Sequence, residues 1–179
     1  MSTDTFPDFI GGLGDSGRGT ADLAVEAIGD DAEVFKHLMS LCFSQPYPIG
    51  MRLARVVQLY CEKNSDFIVP YLDEIIEKIA VSKIEGVKRS FLKIIADSID
   101  FNLVKDNSTL LQLCFDWLIS PKEAVAVRYY SIIICEKFCK YEPDLIPEFK
   151  SSLEFCLPDG SKGFQNRALK VLMKLQESN

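Results

Sequence analysis

The chain has 179 residues, with 20 Lys or Arg against 26 Asp or Glu and a formal net charge of −6. Hydrophobic content of 47% beside 26% charged residues excludes a wholly disordered chain. The acidic balance argues against a general nucleic-acid binder, since phosphate binding rests on clustered Lys and Arg.

Residues 1–19 read as a flexible lead-in to a single domain over 20–179. Within it Gly12, Gly14 and Gly17 match G-x-G-x-x-G. That dinucleotide fingerprint requires a preceding strand and a βαβ unit, and no strand signal occurs here. A P-loop is excluded too, because Arg18-Gly19 stand where Lys and Ser or Thr are needed. MSTDTFPDFI has no basic region leading into an apolar stretch, so no signal peptide is read there. No apolar run approaches the ~20 residues that span a bilayer. The expected location is the cytoplasm.

From Thr20 onward the periodicity predicts helix after helix. Thr20 is the expected N-cap of a helix over 21–28. The next three are read over about 31–43, ending before Pro46 and Pro48, about 49–63 and about 66–81, with Pro70 in the first turns. Two more follow over about 86–99 and 103–119. The longest signal is a hairpin from Pro121 to Leu157. Pro121 suits a first turn, and Val125, Val127, Tyr130, Ile133, Ile134, Phe138 and Tyr141 recur at steps of three and four. Glu142-Pro143-Asp144 interrupts it, and Leu145, Phe149, Leu153 and Phe155 continue the apolar pattern to Leu157. A last helix is read over about 162–176. Alternating apolar residues and hairpin turns are absent, so the chain is expected to be all-α.

Six cysteines (Cys42, Cys61, Cys114, Cys135, Cys139 and Cys156) fall on apolar helix faces, with no C-x-x-C pair. They read as small buried hydrophobes. With His37 the only histidine, no metal site and no cofactor site is expected. Trp117, the only tryptophan, lies where two apolar stripes meet and is expected in the core.

Four arginines recur at nearly constant spacing: Arg52, Arg89, Arg128 and Arg167 are 37, 39 and 39 residues apart. Each is followed two positions on by Ala54, Phe91, Tyr130 or Leu169, and five positions on by Val57, Ile94, Ile133 or Leu172. A fixed period with a helix break in each unit is the signature of a repeat architecture. In this pattern the chain resembles the HEAT-like (ARM-type) helical repeats, whose units are two antiparallel helices of about 40 residues. The resemblance implies a right-handed α-solenoid of about four helix pairs and a closing helix. Arg167, Lys170, Lys174 and Glu177 would then face solvent as a cap. The segment Glu142-Pro143-Asp144-Leu145-Ile146-Pro147 and the link Gly160-Ser161-Lys162-Gly163-Phe164 are similar to those of small bacterial HEAT-like proteins sometimes labelled adenylosuccinate lyase. That superfamily's signature loop, Gly-Ser-Ser followed by Met-Pro and Lys, is absent.

Charge divides along the repeat. Segments holding the first helices (45–65, 83–101, 120–142 and 157–179) carry 15 Lys or Arg against 9 Asp or Glu. The second-helix segments (31–44, 66–82, 102–119 and 143–156) carry 4 against 11. The resemblance places second helices on the concave face, so an acidic groove and a mildly basic outer face are expected. Asp73, Glu74, Glu77, Asp116, Glu148 and Glu154 are the candidate partner-binding residues, steering a basic protein or peptide. No catalytic residue is assigned: triads need a histidine, and His37 reads as a helix-surface side chain. The expectation is a non-enzymatic protein-binding scaffold. The alternative is a HEAT-like DNA glycosylase of the alkylation-repair type, which requires a basic channel, or, following the label, a lyase.

Overall fold

In a computed structural model, residues 17–177 are described. Of the lead-in read over 1–19, residues 1–16 lie outside them, while Gly17 caps the first helix and Arg18 and Gly19 are already part of it. Among the described residues every regular element is helical, and the chain divides into two compact units, one up to Ile99 and one from Asp100.

The first unit contains α1 (Arg18–Ile28), α2 (Ala32–Ser44), α3 (Ile49–Cys61), a 3₁₀ segment (Ser65–Tyr71), α4 (Leu72–Val81) and α5 (Glu85–Asp97). Its centre is α3, which packs against α1, α2 and α5. A helix enclosed on several sides needs apolar residues all round. Accordingly Leu53, Ala54, Val56, Val57, Leu59, Tyr60 and Cys61 are all buried. Close approach of α2 and α3 depends on Gly50, where an added Cβ would sit 2.6 Å from the Gln45 carbonyl oxygen. Phe35, Tyr60 and Phe67 form an aromatic cluster, with ring centroids 5.1 Å apart for Phe35–Tyr60 and 5.4 Å for Tyr60–Phe67. The Tyr60 hydroxyl donates to the Gly29 carbonyl at 2.8 Å. Gly29 ends α1 at φ 56°, a region that glycine alone enters without strain.

The second unit contains a short 3₁₀ turn (Phe101–Leu103), α6 (Ser108–Ile119), α7 (Val125–Tyr141), another 3₁₀ turn (Pro143–Leu145), α8 (Ile146–Cys156) and α9 (Lys162–Glu177). Here α7 packs on α6 and α9, and α8 packs on α6 and α9. Leu110, Cys114, Leu118, Val127, Ile134, Cys135, Phe138, Phe149, Leu153, Phe164, Ala168 and Val171 form the core. Trp117 is buried, as its double-striped helix implied.

Several local expectations are corrected by side-chain chemistry. The N-cap of α1 is Gly17, so Thr20 lies inside the helix. The long helix α7 begins at Val125, not Pro121, because residues 121–124 turn before the chain enters the helix. Asn107 delays α6 to Ser108, accepting a hydrogen bond from the Leu110 N–H at 2.8 Å. Pro70 keeps the stretch before α4 in a 3₁₀ path. The buried face of α7 is also rotated from the one read: Val125 and Tyr141 are exposed, while Arg128, Ser131 and Ile132 are buried. Likewise Phe155 points outward, 72% exposed.

The arginine register is not the structural one throughout. Sliding α5 onto α7 by 40 residues matches buried positions Val87 with Val127, Phe91 with Ser131, Leu92 with Ile132 and Ile94 with Ile134. That register places buried Lys88, not exposed Arg89, in the slot of buried Arg128. Sliding α9 onto α7 by 37 matches Phe164 with Val127, Ala168 with Ser131 and Val171 with Ile134, and puts Gln165 in that slot.

The slot has a common job in the second unit. Arg128 Nε donates to the Leu118 carbonyl near the end of α6 at 3.1 Å, and Gln165 Nε2 donates to the Leu157 carbonyl just after α8 at 2.9 Å. Arg128 thereby satisfies a carbonyl that has no partner within α6, while Gln165 adds a second donor to the Leu157 carbonyl, which also accepts from the Gly160 N–H at 3.3 Å. The guanidinium also lies over the Phe164 ring, 4.4 Å from its centroid, and the Cys156 thiol donates to the same Leu118 oxygen at 3.4 Å.

Candidate functional site

The first unit has an open groove of about 500 Å³ between its two second helices, α2 and α4. Lys36, Met39, Ser40, Phe43 and Ser44 line one wall, and Tyr71, Glu74 and Lys78 line the other. The spacing explains the lining: 36, 39, 40, 43 and 71, 74, 78 each repeat at three or four and so share one helix face. Asp31 fixes the start of the first wall, its carboxylate accepting from Glu33 N at 3.0 Å and Val34 N at 3.1 Å. Phe43 is held by stacking on Phe91, with centroids 5.0 Å apart. The floor is therefore apolar and aromatic, with charges of both signs at the rim.

All six sequence-predicted carboxylates are exposed. Glu74 lines the groove. Asp73 and Glu77, one helical turn apart, occupy the adjacent stripe of α4. In the second unit Asp116 stands on α6, where Gln112 Nε2 donates to it at 2.9 Å. Glu148 and Glu154 stand on α8; six residues of separation turns them about 120° apart around that helix. None of the six forms a salt bridge among the described residues. Elsewhere Asp22 pairs with Arg18, Asp97 with Lys93, and Glu136 with both Arg167 and Lys174.

The closing helix α9 departs in part from the expected polar cap. Arg167 turns inward to Glu136, whereas Lys174 pairs with the same carboxylate while staying exposed and Lys170 faces solvent as expected; Leu169 and Met173 are exposed beside them. His37 is exposed on α2. All six cysteines are buried free thiols. Burial pushes Cys61 up to about 12 and Cys139 to about 11, and raises the other four as well. Such thiols are poor nucleophiles and poor metal ligands. Among the described residues no cluster of three His, Cys, Asp or Glu side chains could hold a metal ion. No helix is long and apolar enough to cross a membrane, again among the described residues.

Sequence reasoning missed Lys36, Met39, Phe43, Tyr71 and Lys78 as groove residues. The signal was available in the matched three-and-four spacing of the two walls, but periodicity does not say which helices will face one another.

A family described as a HEAT repeat domain matches residues 15–175. The chain belongs to the HEAT repeat family. No curated protein matches it. Among solved structures, a chain in the complex of CpcE and CpcF of phycocyanin lyase from Nostoc sp. PCC7120 superposes with a TM-score of 0.56. The match covers 95% of this HEAT repeat chain and 99% of that one, at 17% identity, and is a likeness of fold.

Proposed function

We propose that this HEAT repeat protein is a non-enzymatic binding module that holds a basic segment of another protein on its second-helix surface. The observation that carries the reading is that Asp73, Glu74 and Glu77 are exposed, make no salt bridge among the described residues, and flank an aromatic-floored groove. Exposed carboxylates held in no salt bridge favour approach of a cationic partner, while Phe43 and Tyr71 offer apolar contact for an anchor side chain. The fold likeness to a chain taken from a two-protein complex supports a protein partner.

The test is selection from a displayed peptide library, followed by affinity measurement at two salt concentrations. Binders are expected to be enriched in Lys and Arg around one or two large apolar residues. Asp73→Lys with Glu77→Lys weakens them by at least ~10-fold, or about 1.4 kcal/mol, and the loss shrinks at high salt. Binders with no basic excess, or an unchanged affinity for the double variant, would refute the proposal.

A further inference from the structure

The first helices of the first unit carry a feature that the protein-binding reading does not use. Between α3 and α5 lies a cleft of about 340 Å³ lined by Met51, Arg52, Arg55 and Arg89. Arg52 and Arg55 are three apart on α3 and so share a face, and Arg89 reaches the cleft from α5. Gly86 admits the close passage of α5, since an added Cβ would collide with the Met51 Cγ and Sδ atoms. Among the described residues the methionine supplies the one apolar side chain of the lining.

Among the described residues no carboxylate lines this cleft, in a chain whose net charge is −6. Arg55 is oriented by a neutral group: its Nη1 donates to Gln58 Oε1 at 2.7 Å. Gln58 is buried and in turn donates to Glu62 Oε1 at 3.2 Å, which fixes its amide. Arg89 makes no ion pair among the described residues. The arrangement thus concentrates positive charge and holds part of it in place.

Arginine forks bind carboxylates and phosphates in pairs of parallel hydrogen bonds. One carboxylate has two oxygens and a single charge, which one fork satisfies. Guanidinium groups arriving from two helices suit a dianion with three terminal oxygens. The volume lies at the low end for small-molecule sites and leaves room, over Met51, for an organic substituent. We propose that the Arg52–Arg55–Arg89 cleft binds a phosphate monoester.

The chemistry is shared by a small organic phosphate and a phosphorylated side chain, and the test separates them. The full chain is titrated with inorganic phosphate, phosphoserine, a nucleoside 5′-monophosphate and a phosphoserine peptide, with acetate at matched ionic strength as control. Amide and arginine Nε–H shifts are followed by NMR. Saturable shifts in α3 and α5 are expected, with acetate at least ~10-fold weaker. Arg55→Gln and Arg89→Gln each weaken binding ~10-fold, and Arg18→Gln has no effect. Thermal melts confirm that the variants fold. A phosphopeptide tighter than phosphoserine assigns the site to a modified protein, and the opposite order assigns it to a small phosphate. Absence of saturation by ~10 mM, acetate binding as tightly, or unchanged affinity in both arginine variants would overturn the proposal.

Discussion

Removing the guanidinium that closes the end of α6 is the sharpest test of the packing argument. Arg128 is only 7% exposed, and its Nε donates to the Leu118 carbonyl at 3.1 Å. A hydrogen bond from a charged donor contributes about 1.5–3 kcal/mol, and the contact with the Phe164 ring a further 0.5–2 kcal/mol or so. Arg128→Ala also forfeits the packing of the aliphatic stem, while relieving the cost of burying a charge; taking these two as offsetting leaves about 3 kcal/mol. Arg128→Met keeps the stem and sheds the charge, so it costs about 1–1.5 kcal/mol. In a 179-residue chain the alanine variant melts about 6–12 °C lower. Urea unfolding at constant m-value gives the free energies directly. Should the alanine variant lose less than 1 kcal/mol or so, or the methionine variant prove equally costly, the carbonyl-capping role assigned to Arg128 is wrong.

Gln165→Ala removes the matching but uncharged bond to Leu157 and is expected to cost about 1 kcal/mol by the same unfolding assay. Gly29→Ala forces a side chain onto a φ of 56° and is expected to cost about 1–3 kcal/mol; a neutral result would mean that the end of α1 rearranges freely. Phe149→Ala empties a fully buried site between α6 and α8, and about 3–5 kcal/mol should be lost. The cysteines give a pH prediction. Their native pKa values lie above those of the unfolded thiols, so the native state holds these protons more tightly. The resulting stability is complete below about pH 8.5 and declines toward about pH 11–12, by at most ~1.4 kcal/mol per pH unit for each thiol. Urea midpoints from pH 7 to 10.5 check this decline, and a thiol reagent at pH 8 should label the cysteines only as fast as the protein unfolds.

Much of the fold was legible because its signals are local. Proline at 143, the prolines at 46 and 48 and the three-and-four apolar spacing each speak through neighbouring backbone, and the helix order followed from them. What escaped was rotational phase. On α7 the apolar pattern includes Val125 and Tyr141, whereas the buried face includes Arg128 and Ser131. Both polar residues are accommodated by specific bonds, Arg128 to Leu118 and Ser131 Oγ to the Val127 carbonyl at 3.0 Å. A polarity count anticipates neither the backbone carbonyl one turn back that Ser131 uses nor the Leu118 carbonyl that another helix supplies to Arg128. The repeat was detected through its arginines because its period is regular, but the slot common to Lys88, Arg128 and Gln165 is defined by its place beside buried positions, which tolerates different residue types.

The same distinction governs the candidate sites. Totals by segment place an excess of acid on second helices and of base on first helices, but a ligand meets faces, not segments. On α4, Glu74 and Lys78 share the groove stripe while Asp73 and Glu77 share the next, so an acidic helix presents a mixed edge to the groove. On α3 and α5 the opposite happens. Lys88 is buried, Lys93 is paired with Asp97, and Arg52, Arg55 and Arg89 line one cleft. A modest imbalance along the chain thus becomes a concentrated one in space, because packing removes some charges from the surface and gathers others. Among the described residues the cleft is therefore lined by cations, whereas the groove sets Glu74 beside Lys36 and Lys78, with Asp73 and Glu77 on the stripe alongside.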